Sequence, residues 1–141
     1  IIVQEFLEYY DIQTNHIAVR TSAYTEPGKM NKNIKVHGLE YVVSEANHDD
    51  KLLLVDDVYE TGLSLNAVIN ELQLKMRRNC PVEIKIATVY FKPQCNKTKR
   101  IPDYYVHQTD KWIVFPHELQ GLTKEEIMQH KGEVIAKLLK D

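Results

Sequence analysis

The chain contains little cysteine, little net charge and no long apolar run. Its two cysteines, Cys80 and Cys95, are too few and too far apart for a disulfide framework or a tetrahedral zinc site. A net charge of −2 argues against a surface that binds nucleic acid. No apolar run approaches the roughly 20 residues that span a bilayer, and no signal-peptide pattern opens the chain. We therefore expect a cytoplasmic protein that binds neither nucleic acid nor membranes.

Length and patterning indicate one small α/β domain. A chain of 141 residues buries roughly two-thirds of its unfolded surface, which is enough for a single core. Apolar spacing predicts an opening helix, and strand patterns follow at residues 17–21, 34–36, 52–55 and 82–91. Strands that alternate with helices favour a mostly parallel sheet.

The most informative stretch is residues 52–64, LLLVDDVYETGLS. Its apolar run predicts a strand that is buried on both faces. Asp56 and Asp57 would then lie at the carboxyl end of the strand, the edge where open α/β sheets bind ligands. Two carboxylates at that edge require cations or hydroxyl groups as partners.

The turn that follows adds donors to the same edge. Thr61, Gly62 and Ser64 lead into residues whose apolar side chains repeat at helical spacing. The first N–H groups of such a helix and its dipole favour a phosphate, and Gly62 lets the backbone approach closely. The segment therefore predicts a site for a sugar phosphate.

Two alternatives exist for this segment. One is a solvated Asp-Asp turn before a capped helix, which occurs in many α/β domains. The other is a bacterial receiver domain, which also has two acids at a strand end and a later Lys-Pro pair, as at Lys92 and Pro93. Receiver domains carry a phosphorylated aspartate on a strand between these signals, and the strand around residues 86–91 offers none.

VDDVYETGLS resembles the phosphoribosyl pyrophosphate (PRPP) signature of the type I phosphoribosyltransferases. The resemblance implies that Asp56 and Asp57 bind the ribose hydroxyls directly or through Mg²⁺, with Asp57 as the metal ligand. It implies that the 5′-phosphate is held by the turn, Glu60, Thr61, Gly62, Leu63 and Ser64. The implied fold is a mostly parallel twisted sheet flanked by helices, one domain over residues 1–141, with residues 93–141 as a hood that binds the base.

The order of residues downstream is similar to the purine branch of this family, especially its xanthine-guanine enzymes. By that resemblance Lys92 would donate to the 6-oxo group of the purine, Trp112 would stack on the ring and Ile113 would supply main-chain contacts. Because an ammonium group only donates hydrogen bonds, Lys92 disfavours the 6-amino group of adenine. The alternatives are a solvated cation for Lys92 and core packing for Trp112.

The implied reaction belongs to purine salvage. A purine nitrogen displaces pyrophosphate from the anomeric carbon of PRPP and forms a nucleoside monophosphate, with Mg²⁺ neutralising the leaving group. The acid before the Thr-Gly pair takes or shares the purine N7 proton, so the implied catalytic set is Glu60, Asp56 and Asp57. The family usually has aspartate where this chain has Glu60, and the alternative role of Glu60 is compensation of the helix dipole.

The segment TSAYTEPGKMNKN predicts a mobile loop. The family resemblance implies that this loop closes over PRPP through a Ser-Tyr element, which Ser22 and Tyr24 match with an inserted alanine. The alternative is a solvated hairpin connection. Closure would exclude water from the reacting sugar carbon.

Other expectations concern completeness and partners. The family has a strand and a glycine-containing pyrophosphate loop before its first helix, and the chain lacks both, which suggests a longer parent protein. Dimers are usual in the family, so we expect a homodimer or a higher homo-oligomer. The functional alternatives are a regulator that senses PRPP or a nucleotide, and a transferase for another base.

The last residues of the chain predict an amphipathic helix. Thr123 and Glu126 form a capping-box pattern at its start. Gly132 weakens its middle by roughly 1 kcal/mol relative to alanine. Its apolar stripe comprises Ile127, Val134, Ile135, Leu138 and Leu139.

Overall fold

A computed structural model describes residues 1–25, 32–115, 119, 122–132, 135 and 137. The chain divides into two compact units, Ile1–Asp110 and Lys111–Asp141. Residues 93–110, which we grouped with the hood, therefore belong to the first unit. Within the described ranges, no helix is both long enough and apolar enough to cross a membrane.

The first unit holds two sheets and three helices among its described residues. In chain order its elements are α1 (Ile2–Tyr9), β1 (Arg20–Thr25), β2 (Lys32–His37), α2 (Glu40–Glu45), β3 (Lys51–Tyr59), α3 (Leu63–Met76), β4 (Glu83–Phe91) and β5 (Tyr104–Gln108). Short 3₁₀ turns follow α3 and β4, at Arg77–Asn79 and Pro93–Cys95. The second unit contains α4 (Lys124–Lys131).

The main sheet has the order β3-β4-β5, and both of its ladders are parallel. The register of the first ladder pairs Leu54 with Ile86 and Tyr59 with Phe91. The strands β1 and β2 form a separate antiparallel pair. A parallel sheet flanked by helices confirms the predicted fold class.

Helix α3 supplies most of the core of the first unit. One of its faces packs Leu65 and Ile69 against the sheet, in a cluster that includes Ile86. A second face packs Val68 and Leu72 in a cluster with residues of β2 and α2. The helix is therefore held between the sheet and the segment from β2 to α2, and its amino end is fixed relative to the strand that precedes it.

Strand β3 differs from its prediction in two ways. It runs to Tyr59, so Asp56 and Asp57 lie inside the strand and not beyond its end. It is also not buried on both faces: Val55 is 52% exposed. The reason is that β3 is the terminal strand in the described sheet order and α3 covers one of its faces.

The region before the main sheet also differs in detail. Strand β1 begins at Arg20, later than the predicted strand, and it includes Ser22 and Tyr24. Both residues therefore lie in a strand and not in the connection to β2, of which residues 26–31 lie outside the described residues. Their proposed closure over PRPP stays a prediction.

The two terminal helices form where the sequence predicts them. Helix α1 has the predicted apolar spacing, but Phe6 and Tyr9 are exposed. Helix α4 begins with the predicted capping box between Thr123 and Glu126. It ends at Lys131, because Gly132 takes a φ of +94°. Of the predicted stripe, Val134, Leu138 and Leu139 lie outside the described residues.

The turn between β3 and α3 requires glycine at position 62. Gly62 is the N-cap of α3 and has a φ of +72°. A Cβ at this position would lie 2.5 Å from Tyr59 Oη and 2.8 Å from Thr98 Oγ1. Both the backbone angle and the space therefore exclude a larger residue.

The start of β5 is fastened to β4 by a carboxylate. Asp103 Oδ2 accepts a hydrogen bond from the backbone N–H of Ile86 at 2.9 Å, and Oδ1 accepts one from Lys85 Nζ at 2.9 Å. Desolvation would raise the pKa of Asp103, but the hydrogen bonds from Lys85 and Ile86 outweigh it and lower the pKa. Asp103, directly before β5, thus accepts from Ile86, which lies directly before Ala87, and Ala87 and Tyr104 form the first residue pair of the two strands.

We expect Gly62→Ala to lower the free energy of unfolding by at least about 2 kcal/mol, because it adds backbone strain and a steric clash with Tyr59. Gly132→Ala is the matched control, since Gly132 also has a positive φ, of +94°, but a Cβ there would have no atom of the described residues within 4 Å. Urea denaturation measures both. An equal decrease in the free energy of unfolding of the two variants would contradict the proposed clash.

We expect Asp103→Asn to lower the free energy of unfolding at pH 7 by about 1–2 kcal/mol. The pKa of Asp103 is lower in the folded protein than its unfolded value of about 3.9, so its contribution is complete above that value and disappears as the pH falls through the folded pKa. The difference in the free energy of unfolding between this variant and the unsubstituted protein should therefore become smaller below about pH 4. Urea denaturation across pH measures this, with Asp49→Asn, at a fully exposed side chain, as the control. If that difference in the free energy of unfolding does not change with pH, the Asp103 carboxylate does not have the proposed stabilising role.

Candidate active site

Two carboxylates lie side by side in the last part of β3. The backbone N–H of Asp57 donates to Asp56 Oδ1 at 3.0 Å. Desolvation raises the pKa of Asp56, the hydrogen bond from the Asp57 backbone opposes this shift, and the charge of the Asp57 carboxylate adds to it. Asp56 also keeps contact with solvent. The pair is therefore a local concentration of negative charge that a cation or hydroxyl donors would stabilise.

The predicted phosphate turn leads directly from β3 into α3. Leu63 and Ser64 are the first two residues of the helix, and the N–H of Leu63 lies 3.4 Å from Thr61 Oγ1. Intrahelical bonding begins with the N–H of Asn66, which donates to Gly62 O at 3.0 Å. The earlier N–H groups of the helix have no intrahelical acceptor, as at every helix start. This end of the helix follows the carboxylates of β3 by only a few residues.

The loop after β4 holds this turn in place, which sequence reasoning missed. The N–H of Lys97 donates to Thr61 O at 3.0 Å. The buried Tyr59 hydroxyl lies 3.0 Å from Thr98 Oγ1 and donates to Arg100 O at 3.0 Å. Asn96 was the available signal, because its Oδ1 accepts from the N–H of Thr98 at 2.9 Å and so forms a local turn.

Lys92 and Glu60 form an ion pair at the ends of β4 and β3. Lys92 is 5% exposed, and its Nζ donates to Glu60 Oε1 at 2.9 Å. The side chain of Glu60 remains partly exposed. Burial excludes the alternative that Lys92 is a solvated cation. The sequence predicted a separate role for each residue, and nothing in their local patterns indicated that they touch.

The other two predicted base contacts belong to the second unit. Trp112 is 80% exposed, so it is not packed in the interior of that unit. Ile113 is half-buried. The roles of both residues in base binding stay predictions.

The described residues include no group of three or more His, Cys, Asp or Glu side chains that could hold a metal ion. Asp56 and Asp57 nevertheless fit Mg²⁺, because this ion is usually held by one or two carboxylates while waters and substrate phosphates complete its shell. Cys80 and Cys95 are free cysteines.

Comparison with known proteins agrees with this geometry. Residues 8–121 match the family model described as the phosphoribosyl transferase domain. Among curated proteins, none matches the chain. A purine phosphoribosyltransferase from Pyrococcus horikoshii Ot3 is 31% identical, with a TM-score of 0.54 over 74% of this chain. The aligned part is 62% of the Pyrococcus protein, so the chain spans less than two thirds of that relative.

Two further solved structures support the fold alone, because their identity is low. The xanthine-guanine-hypoxanthine phosphoribosyltransferase of Helicobacter pylori is 20% identical with a TM-score of 0.58, covering 82% of this chain and 68% of that one. A hypothetical protein from Neisseria gonorrhoeae with bound ppGpp is 19% identical with a TM-score of 0.62, covering 85% and 69%.

The sequence match and the structural likeness agree with the order of elements in the first unit. A parallel strand carries the acid pair, and the Thr61-Gly62 turn then opens a helix that packs on the same sheet. The match also covers most of the described chain, including β3, β4 and β5. The chain therefore belongs to the phosphoribosyl transferase domain family and has its type I fold.

Proposed function

We propose that the protein transfers the 5-phosphoribosyl group from PRPP to a 6-oxopurine, hypoxanthine, guanine or xanthine. The products are pyrophosphate and a purine nucleoside monophosphate, as in purine salvage. The observation that carries this proposal is the ion pair between the buried Lys92 and the partly exposed Glu60, beside the turn between β3 and α3. Membership of the family supports PRPP as one substrate, and this ion pair supports a 6-oxopurine as the other.

The ion pair is complementary to one edge of a 6-oxopurine. On that edge the 6-oxo group accepts a hydrogen bond, and a protonated N7 beside it donates one. The Lys92 ammonium can only donate and the Glu60 carboxylate can only accept, and their atoms lie 2.9 Å apart. Adenine would instead present a 6-amino donor to the ammonium. Polar sites of this kind reject a mismatched analogue by about 10⁴-fold.

In this proposal the acid pair and the turn bind the sugar phosphate. Asp56 and Asp57 accept hydrogen bonds from the ribose 2′- and 3′-hydroxyls, and the N–H groups from Thr61 to Ser64 bind the 5′-phosphate. Asp57 would hold Mg²⁺ together with substrate oxygens. Contacts of Trp112 and Ile113 with the base rest on the family resemblance, as does a homodimeric state.

These contacts support the following reaction. The bond from the purine N9 to C1′ forms while the bond from C1′ to the pyrophosphate oxygen breaks. The N7 proton passes to the Glu60 carboxylate, which thereby prevents positive charge from remaining on the base. The chemistry that Mg²⁺ supplies when bound is neutralisation of the departing pyrophosphate. Lys92 holds the 6-oxo group and fixes the orientation of the ring during the displacement.

The direct test is nucleotide formation from PRPP and Mg²⁺ with hypoxanthine, guanine, xanthine and adenine offered separately. We expect turnover of the 6-oxopurines, and a kcat/KM for adenine that is lower by about 10³–10⁴-fold. Asp57→Asn should abolish turnover, because it removes one carboxylate of the acid pair. Turnover of adenine or a pyrimidine would favour a transferase for another base. Binding of PRPP or a nucleotide without turnover would favour the regulator.

Replacement of Lys92 tests the source of base selectivity. Lys92→Met keeps the length of the buried stem but removes the donor, so kcat/KM for hypoxanthine should fall by about 10–100-fold. Discrimination against adenine should shrink, and the Kd for PRPP should stay unchanged. Lys75→Met is the control, because Lys75 is a partly exposed lysine of α3 paired with Glu71. An unaltered ratio between hypoxanthine and adenine in Lys92→Met would show that selectivity lies elsewhere.

A further inference from the structure

The hydroxyl of Thr88 is buried without a hydrogen-bond partner. Thr88 lies in the middle of β4 and is 6% exposed. Among the buried side-chain nitrogen and oxygen atoms of the described residues, its Oγ1 is the one that lacks a partner. An unpaired buried hydroxyl is unfavourable, whereas an apolar group of the same shape would not be. The unpaired Thr88 hydroxyl therefore points to a partner that a small side-chain movement can reach.

The register of the sheet identifies that partner as Asp56. The β3–β4 ladder pairs Asp56 with Thr88, as it pairs Leu54 with Ile86 two residues earlier. Side chains alternate along a strand, so each residue shares a face with the one two positions before it. Leu54 and Ile86 pack in the cluster with residues of α3. Asp56 and Thr88 are therefore neighbours on the face that α3 covers.

Distance and chemistry are both suitable for a hydrogen bond. Neighbouring strands lie about 4.8 Å apart, so a rotation about χ1 can bring a hydroxyl on one strand to a carboxylate on the next. Asp56 Oδ1 accepts from the backbone N–H of Asp57. The Thr88 hydroxyl can add one further donor to this carboxylate.

We infer that Thr88 is a positioning residue for Asp56. When the Asp56 carboxylate turns towards a sugar diol, the Thr88 hydroxyl donates to it and fixes the orientation in which its other oxygen accepts from a ribose hydroxyl. Thr88 does not touch the sugar. The inference rests on the proposed function, because the diol is that of PRPP.

The test compares Thr88→Val with Thr88→Ser in two measurements. Thr88→Val removes the unpaired hydroxyl, so its thermal unfolding midpoint should rise by about 3 °C. The same variant should raise the Kd for PRPP with Mg²⁺ about tenfold, measured by calorimetry. Thr88→Ser keeps the hydroxyl, so its Kd should stay within about twofold of the unsubstituted protein. A merely structural role for Thr88 would not produce opposite changes in stability and affinity.

A double-mutant cycle with Asp56→Ala tests whether Thr88 acts through Asp56, because alanine removes both acceptor oxygens. In the Asp56→Ala background, Thr88→Val should change the Kd by less than about twofold. If Thr88→Val does not fold, Thr88→Ala removes the same hydroxyl and takes its place. PRPP binding that neither variant weakens would overturn the inference and leave the proposed function intact. Absence of PRPP binding by the unsubstituted protein would contradict the proposed function, and the inference with it.

Discussion

The site depends on the backbone hydrogen bond that closes the β3–β4 ladder. The N–H of Lys92 donates to Tyr59 O at 2.9 Å, directly after the last residue pair of the two strands. A parallel ladder brings the residues that follow both strands to the same edge of the sheet. The side chains of Glu60 and Lys92 can meet there only because the register is fixed. A shift by one residue would turn the side chains of one strand to the opposite face.

Tyr59, at the end of this ladder, also contacts the other segments of the site. Its ring packs against Phe91 in the core, and its hydroxyl holds the loop after β4 through Thr98 and Arg100. The same ring leaves no space for a Cβ at Gly62. One buried side chain therefore joins the end of β3, Gly62 in the turn between β3 and α3, and the loop after β4. The end of β3 and the amino end of α3 are therefore positioned by one connected set of contacts.

Local patterns were sufficient for the elements of this fold but not for their contacts. The helix α3, the strand β4 and the capping box at Thr123 follow from spacing and side-chain type alone. The length of β3 did not follow, because aspartates are depleted in strands and suggested an end after Val55. The ladder with β4 carries the strand through both acids. Local propensity is here overridden by pairing with a neighbouring strand.

The candidate site likewise has a part that local sequence predicts and a part that depends on strand pairing. The acids and the Thr61-Gly62 turn are contiguous in sequence, so their chemistry could be predicted from one short segment. The bond between Lys92 and Glu60 joins residues that are 32 positions apart. It depends on the register of two strands and on the helix between them, which no local pattern encodes. The exposure of Val55 depends on sheet order in the same way.

One register relation recurs across these strands. Asp56 pairs with Thr88, and Glu60 lies beside Lys92 at the same separation of 32 positions. In both places an acceptor from β3 or its end lies across from a buried polar donor of β4 or its end. The Lys92 ammonium is bonded to its acceptor, whereas the Thr88 hydroxyl is unpaired. Apolar residues at Thr88 in β4 and at Lys92 directly after it would favour stability. Under the proposed function, the Thr88 hydroxyl and the Lys92 ammonium would exchange that stability for a fixed orientation of the Asp56 and Glu60 carboxylates.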